Sequence, residues 1–238
     1  MTLVVGIIAK NGIVIAADSR MSAQITSNDT VQKIFKLNNH NAVGMSGDGT
    51  LGIHFLEVIS GGLVYDDGIV DLVEQIRGLG KEKFEEYFSH QQPKDRPALT
   101  FLIAGYTKSG EPRIYQLSSN DNFVPRPSST GFNCIGVPYF ADYLLNRFYQ
   151  SEISMQQAQV LAAFCIKETE SQSHGVGGEI KIASFSETNI YTELPAITVS
   201  KIKDQCSSFH ILNRNKFYPE DISEDDTPST DAIKGPVV

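Results

Sequence analysis

The sequence predicts an α+β fold of four layers, an αββα sandwich in which two β-sheets pack face to face and helices cover both outer faces. Two observations predict it. Strand-length apolar runs and amphipathic helical patterns come in blocks: strands, two helices, strands, two helices and a closing strand pair. That order suits two sheets, each with its own helical layer. The 238 residues are 41% hydrophobic, enough to bury one substantial core. Residues 1–213 therefore read as one domain. The remaining 214–238 read as a flexible acidic tail, because Pro219-Glu220-Asp221 and Glu224-Asp225-Asp226 offer too little apolar surface to order themselves.

The elements follow in chain order. Leu3 to Ala9 and Ile13 to Ala17 flank Asn11-Gly12, the pair favoured in a type I′ hairpin, where both central residues need positive φ. Counted from that turn, Lys10 faces Ile13 and Thr2 faces Met21. Val31 to Phe35 and the run around Val43 are further strands. A helix spans Thr50 to Ser60 and stops at Gly61-Gly62. A second follows Asp67, with Ile69, Leu72, Val73, Ile76 and Leu79 on one face and the charged stretch Lys81 to Glu86 solvated. Leu99 to Tyr106, Arg113 to Leu117 and Asn133 to Val137 are strands. Tyr139 to Tyr149 is helical, and another helix opens at the capping box Ser154-x-x-Gln157. Glu179 to Phe185 and Ile190 to Leu194 close the pattern as a strand pair.

The first hairpin carries the chemistry. Loss of Met1 would leave Thr2 at the head of the strand, with its hydroxyl nucleophile and an α-amino general base on one residue. The hairpin returns Asp18, Ser19 and Arg20 to that terminus. Lys33 lies just beyond, where an ammonium held by a carboxylate would lower the pKa of a nearby hydroxyl. In Ala42-Val43-Gly44-Met45-Ser46-Gly47-Asp48-Gly49 a strand runs into glycines ahead of a helix, and a glycine there lets a backbone N–H face an incoming carbonyl. No GxxxxGK[ST] phosphate loop is present.

The segments TLVVGIIAKNGIVIAADSR, QKIFKL and AVGMSGDGT resemble the start of a proteasome β-type subunit, in the N-terminal nucleophile hydrolase superfamily. The match fits a form without a propeptide, as in bacterial two-ring, ATP-dependent relatives. The resemblance implies the αββα fold and places the nucleophile on Thr2, the buried acid on Asp18, the lysine on Lys33 and the oxyanion-hole glycine on Gly47. It assigns the pocket for the side chain preceding the cut to Met21, Val31, Phe35, Met45 and Gly49, a set without charge. It implies threonine-type hydrolysis of peptides or unfolded proteins in homo-oligomeric stacked rings, with an ATP-dependent unfoldase as a possible partner and no metal or organic cofactor. The second half departs from the family. Gly136-Val137-Pro138 stands where a Gly-Ser-Gly turn is usual, and Ser173-His174-Gly175-Val176-Gly177-Gly178 replaces an Asp-x-x-Ser-Gly-Gly stretch. The supporting network is therefore rebuilt from Ser171, Ser173 or His174, or catalysis is impaired. A non-catalytic ring subunit and an amide transferase or small-amide hydrolase are the alternatives.

Other classes fit poorly. The net charge of −8 disfavours nucleic-acid binding. His40, His54, His90, His174 and His210 include no pair at metal-ligand spacing. Cys134, Cys165 and Cys206 form no CxxC and are expected to be buried thiols. There is no run of 18 apolar residues and no secretory pattern, which predicts a cytoplasmic protein without a membrane span.

Overall fold

The computed structural model describes residues 1–23, 26–64 and 68–217. The strands of its first half are β1 (Leu3–Ala9), β2 (Gly12–Asp18), β3 (Met21–Ala23), β4 (Thr26–Asn28), β5 (Ile34–Lys36) and β6 (Asn41–Gly47). Helices α1 (Gly49–Ser60) and α2 (Ile69–Phe88) follow, then β7 (Leu99–Tyr106), β8 (Pro112–Ser118), β9 (Arg126–Pro127) and β10 (Phe132–Gly136). Helices α3 (Tyr139–Phe148) and α4 (Met155–Gln172) precede β11 (Ile180–Phe185), β12 (Thr192–Glu193) and α5 (Ala196–Phe217). Met1–Cys206 forms one compact unit, and its boundary with the chain beyond falls inside α5. The tail expected over 214–238 begins within α5, and its residues 218–238 lie outside the described residues. So does Asp67, placed ahead of the second helix.

Two five-stranded sheets, β10-β1-β2-β11-β12 and β5-β6-β7-β8-β9, make the sandwich, with β3-β4 as a separate hairpin. Alternation along the strands sorts side chains into three cores. Leu3, Val5, Ile7, Val14 and Ala16 face α3 and α4. Val4, Ile13, Ile15 and Ala17 meet Ala42, Leu102 and Ala104 between the sheets. Val43, Met45, Phe101 and Ile103 face Phe55, Ile59, Val73 and Ile76 of α1 and α2. The first strands are thus buried on both faces, which is why they read as continuous apolar runs.

The starts of α1 to α4 and the ends of α1 and α3 agree with the sequence to within a residue or two. Both capping-box bonds at α4 are present, Gln157 N–H donating to Ser154 Oγ and Ser154 N–H to Gln157 Oε1. On α2, Lys81 and Glu82 are exposed while Phe84 turns inward. All three cysteines are free and buried. No helix among the described residues is long and apolar enough to cross a membrane.

Three expectations change. The first hairpin is closed by Lys10-Asn11, because Ala9 stands opposite Gly12 and Val4 opposite Ala17. Neither loop residue has the positive φ of a type I′ turn; the left-handed non-glycine residues among those described are Asn122 and Phe123. Gly12 answers to space instead, since a Cβ there would sit 2.7 Å from the Phe185 carbonyl oxygen and overlap Met155 Cε. Counted on, Thr2 falls opposite Ser19 rather than Met21, a slip of two that keeps every side chain on its predicted face. The strand expected over Val31 to Phe35 forms only at Ile34–Lys36. Finally, α5 was not expected; Val199, Ile202 and Cys206 are its buried side chains in the compact unit.

Candidate active site

Asp18 ends β2 and is the hub of the site. Its Oδ1 accepts from Leu3 N–H at 2.9 Å and from Lys33 Nζ at 2.9 Å, and its Oδ2 accepts from Arg20 N–H at 3.2 Å and Gly177 N–H at 3.0 Å. Four donors on two oxygens hold a carboxylate whose side chain is fully buried. Lys33 is 4% exposed and also donates to the Arg20 carbonyl at 2.6 Å. Burial pushes its ammonium below the ordinary lysine pKa, and the attraction and hydrogen bond of Asp18 oppose that shift. The backbone explains the placement. Val31 N–H donates to the Ser19 carbonyl and Met45 N–H to the Lys33 carbonyl, so the segment is strung between the end of β2 and β6.

Thr2 and Lys33 line one pocket of about 210 Å³, together with Met1, Met21, Val31, Met45, Ser46, Gly47, Asp48, Gly49 and Thr50. Thr2 is 7% exposed, and its carbonyl accepts from Val137 N–H at 2.9 Å. Gly47 has φ +117°, and a Cβ there would overlap the Ala98 carbonyl oxygen. Only glycine turns the chain at this point, from β6 into α1, whose N-terminus Asp48 caps through Leu51 N–H at 3.0 Å. Four of the five residues assigned to the specificity pocket meet here: Met21, Val31, Met45 and Gly49. Phe35 does not. It lies opposite Val43 and packs into the core under α1 and α2. Met21 lies over Gly49, its Sδ 2.5 Å from where a Cβ would stand, so the glycine leaves room for the thioether that walls the pocket.

The supporting layer is built from side chains other than those of Ser171, Ser173 or His174 expected from the sequence. Arg20 makes a bidentate pair with Asp29, Nε to Oδ1 at 2.8 Å and Nη2 to Oδ2 at 3.0 Å. The hydrogen bond from Arg20 holds the Asp29 carboxyl below its usual range. Arg20 Nη1 also donates to the His174 and Val176 carbonyls. Ser19 Oγ donates to the Asp29 carbonyl and accepts from Glu179 N–H. A Cβ on Gly177 would stand 2.5 Å from the Arg20 guanidinium, so the paired glycines are the one sequence signal of this close approach. None of Ser171, Ser173 and His174 lines the pocket. Ser171 is exposed and donates to the Glu168 carbonyl, while the backbone of Ser173 caps α4. Val176 is fully buried, and Val137 packs toward α3 and α4.

Comparison with known proteins agrees with this architecture. The chain is 24% identical over 207 residues to the proteasome subunit beta of Methanopyrus kandleri, covering 84% of this chain and 94% of that one. It is also 24% identical to the proteasome subunit alpha of Metallosphaera sedula, over 74% of this chain and 73% of the relative. In three dimensions it is similar to the Gly-1 mutant of Anbu from Hyphomicrobium sp. strain MC1, with a TM-score of 0.76 and 16% identity over 94% of this chain and all of the other, a likeness of fold. The family model described as proteasome subunit matches residues 2–185. With that match covering most of the chain and the Asp18–Lys33 centre, the chain belongs to the proteasome subunit family.

Proposed function

We propose that the protein is a threonine-type peptide hydrolase that acts through Thr2 once the Met1–Thr2 bond has been cleaved. The observation that carries this reading is the convergence, on one pocket, of Thr2, the buried Lys33–Asp18 pair and Gly47. Thr2 Oγ attacks the substrate carbonyl carbon while its hydroxyl proton passes to the freed α-amino group. The Gly47 N–H stabilises the oxyanion, and the Lys33 ammonium supplies positive potential where negative charge develops. Collapse of the tetrahedral species expels the amine, which takes the proton, and water then releases the acyl group from Oγ. Met21, Val31 and Met45 give the pocket an apolar wall that accepts an uncharged side chain before the cut. The assembly is a set of stacked rings of like chains enclosing the pockets.

The test is intact mass and covalent labelling. Loss of Met1 and a single β-lactone or epoxyketone adduct on Thr2, absent from a folded Thr2→Ala variant, are the expected results. A second reading, a ring subunit without activity, draws on the similarity to chains named proteasome subunit alpha. Retention of Met1 and no adduct would favour it.

A further inference from the structure

Beyond the nucleophile, the pocket needs a group that aims the Thr2 amine at its own hydroxyl, and the polar groups already described have other partners. Both oxygens of Asp18 are occupied by four donors, Lys33 Nζ serves Asp18 and the Arg20 carbonyl, and Asp48 caps α1. Ser46 is different. It is 8% exposed, lines the pocket and sits on β6 one residue before Gly47. Alternation along β6 turns Met45 toward the helices and Ser46 toward the opposite sheet. On that same face Gly44 abuts Val4, and Ser46 lies two residues further along β6, at the end of the sheet where Thr2 precedes β1. One point confirms the proximity: a Cβ on Gly136 would overlap the Thr2 carbonyl oxygen and stand 3.4 Å from Ser46 Cβ.

We propose that Ser46 is a positioning residue whose hydroxyl accepts a hydrogen bond from the α-amino group of processed Thr2 and so directs the amine lone pair at Thr2 Oγ. A hydroxyl has the lone pairs for this and is short enough to be held by the strand. The charged groups around that amine are Lys33 and Asp18, with Asp48 at the β6–α1 turn and His174 exposed on the loop that meets Met1. The end of β10 brings backbone only, since Gly136 has no side chain and Val137 packs into the helix-side core. The proposal rests on the nucleophile reading above and deepens it.

The experiment measures β-lactone acylation of Thr2 and the pH dependence of kcat/KM for an apolar fluorogenic peptide in the full chain. Ser46→Ala is expected to keep the wild-type Tm and KM but to lower the acylation rate about tenfold to a hundredfold, as a misaligned reacting group does. A hydrogen bond accepted from the ammonium favours the charged form, so its loss should also move the acidic limb to lower pH by about half a unit. Ser46→Thr should retain most of the rate. If Ser46→Ala does not assemble, Ser46→Cys keeps the shape with a weaker acceptor and should show the same loss. Wild-type rate or an unmoved acidic limb in Ser46→Ala, or in Ser46→Cys where it stands in, overturns the role of Ser46 while the Thr2 adduct still forms. Failure of processed wild type to form the adduct overturns the nucleophile reading, and this inference with it.

Discussion

Asp18 holds three backbone N–H groups and one ammonium with a single carboxylate, and that load decides what its loss does. Asp18→Ala takes the acceptor from the Leu3 and Gly177 N–H groups, leaves Arg20 N–H with the Gly177 carbonyl alone, and leaves the Lys33 charge buried with only the Arg20 carbonyl. It should destabilise the fold by about 3–5 kcal/mol, the range for breaking a buried pair from one side. Lys33→Met is milder in stability, because three N–H donors still satisfy the carboxylate, but it should remove most activity. The double variant should lose less than the sum of the two, since the pair acts as a unit. Urea unfolding together with peptidase assays checks this cycle, and additive losses would mean that the two residues act separately. The depressed lysine pKa has a sign. The ammonium is the useful form and is lost as pH rises through its lowered pKa, so the alkaline limb of activity should fall below the ordinary 10.5 of lysine. A pH–rate profile of wild type measures it, and activity flat to that value would argue that Lys33 plays no electrostatic part. At the proposed substrate pocket, burying a Leu- or Phe-sized side chain gains about 1.5–3 kcal/mol, whereas an unpaired charge costs several. A fluorogenic tetrapeptide library should therefore show apolar preference before the cut, and preference for Lys, Arg, Asp or Glu would exclude the Met21–Val31–Met45 wall as the pocket.

Among the elements, the β1–β2 hairpin shows how a correct structure can rest on a different local cause. Asn-Gly is a strong turn signal because both residues tolerate positive φ, yet the loop here is Lys10-Asn11 with neither residue left-handed. Gly12 instead admits Met155 of α4 and the Phe185 carbonyl of β11. Gly12→Ala should cost about 1–3 kcal/mol through overpacking, whereas a flexible turn glycine would tolerate the change. A drop in Tm for Gly12→Ala, relieved in part by shortening Met155 to Ala, identifies packing as the cause; an unchanged Tm would return the glycine to the turn. Helix α5 is not legible in the sequence for a related reason. Its sequence carries little amphipathic pattern, and its buried residues in the compact unit are Val199, Ile202 and Cys206, a contribution set by the side of the core it happens to meet.

For the whole molecule, the proposed peptidase implies assembly. An unguarded acyl-transferring pocket would cleave proteins indiscriminately, and enclosure in a ring admits only chains that can be threaded to it. Light scattering at micromolar concentration should give a mass many times that of one chain, and a monomer mass would argue against enclosure. Thr2→Ala should leave that mass unchanged, because removing a small hydroxyl opens little space.

How much of this was legible in the sequence follows from the range of the interactions. The two-sheet sandwich, the helices α1 to α4 and the meeting of Asp18 with the N-terminus could be read from local periodicity, because alternation in a strand assigns faces and survives a two-residue slip in register. The sequence by itself also determined that Thr2, Lys33 and Gly47 belong to one candidate site, through the resemblance carried by the first 60 residues. Only the tertiary structure decided which residues wall the pocket, removing Phe35 by one pleat along the strand and bringing in Ser46 from β6. It alone joined Arg20 to Asp29 and to the carbonyls of His174 and Val176, the latter some 150 residues away. These contacts arise where separate strands and loops converge, and no local pattern of apolar and polar residues encodes a partner so distant along the chain.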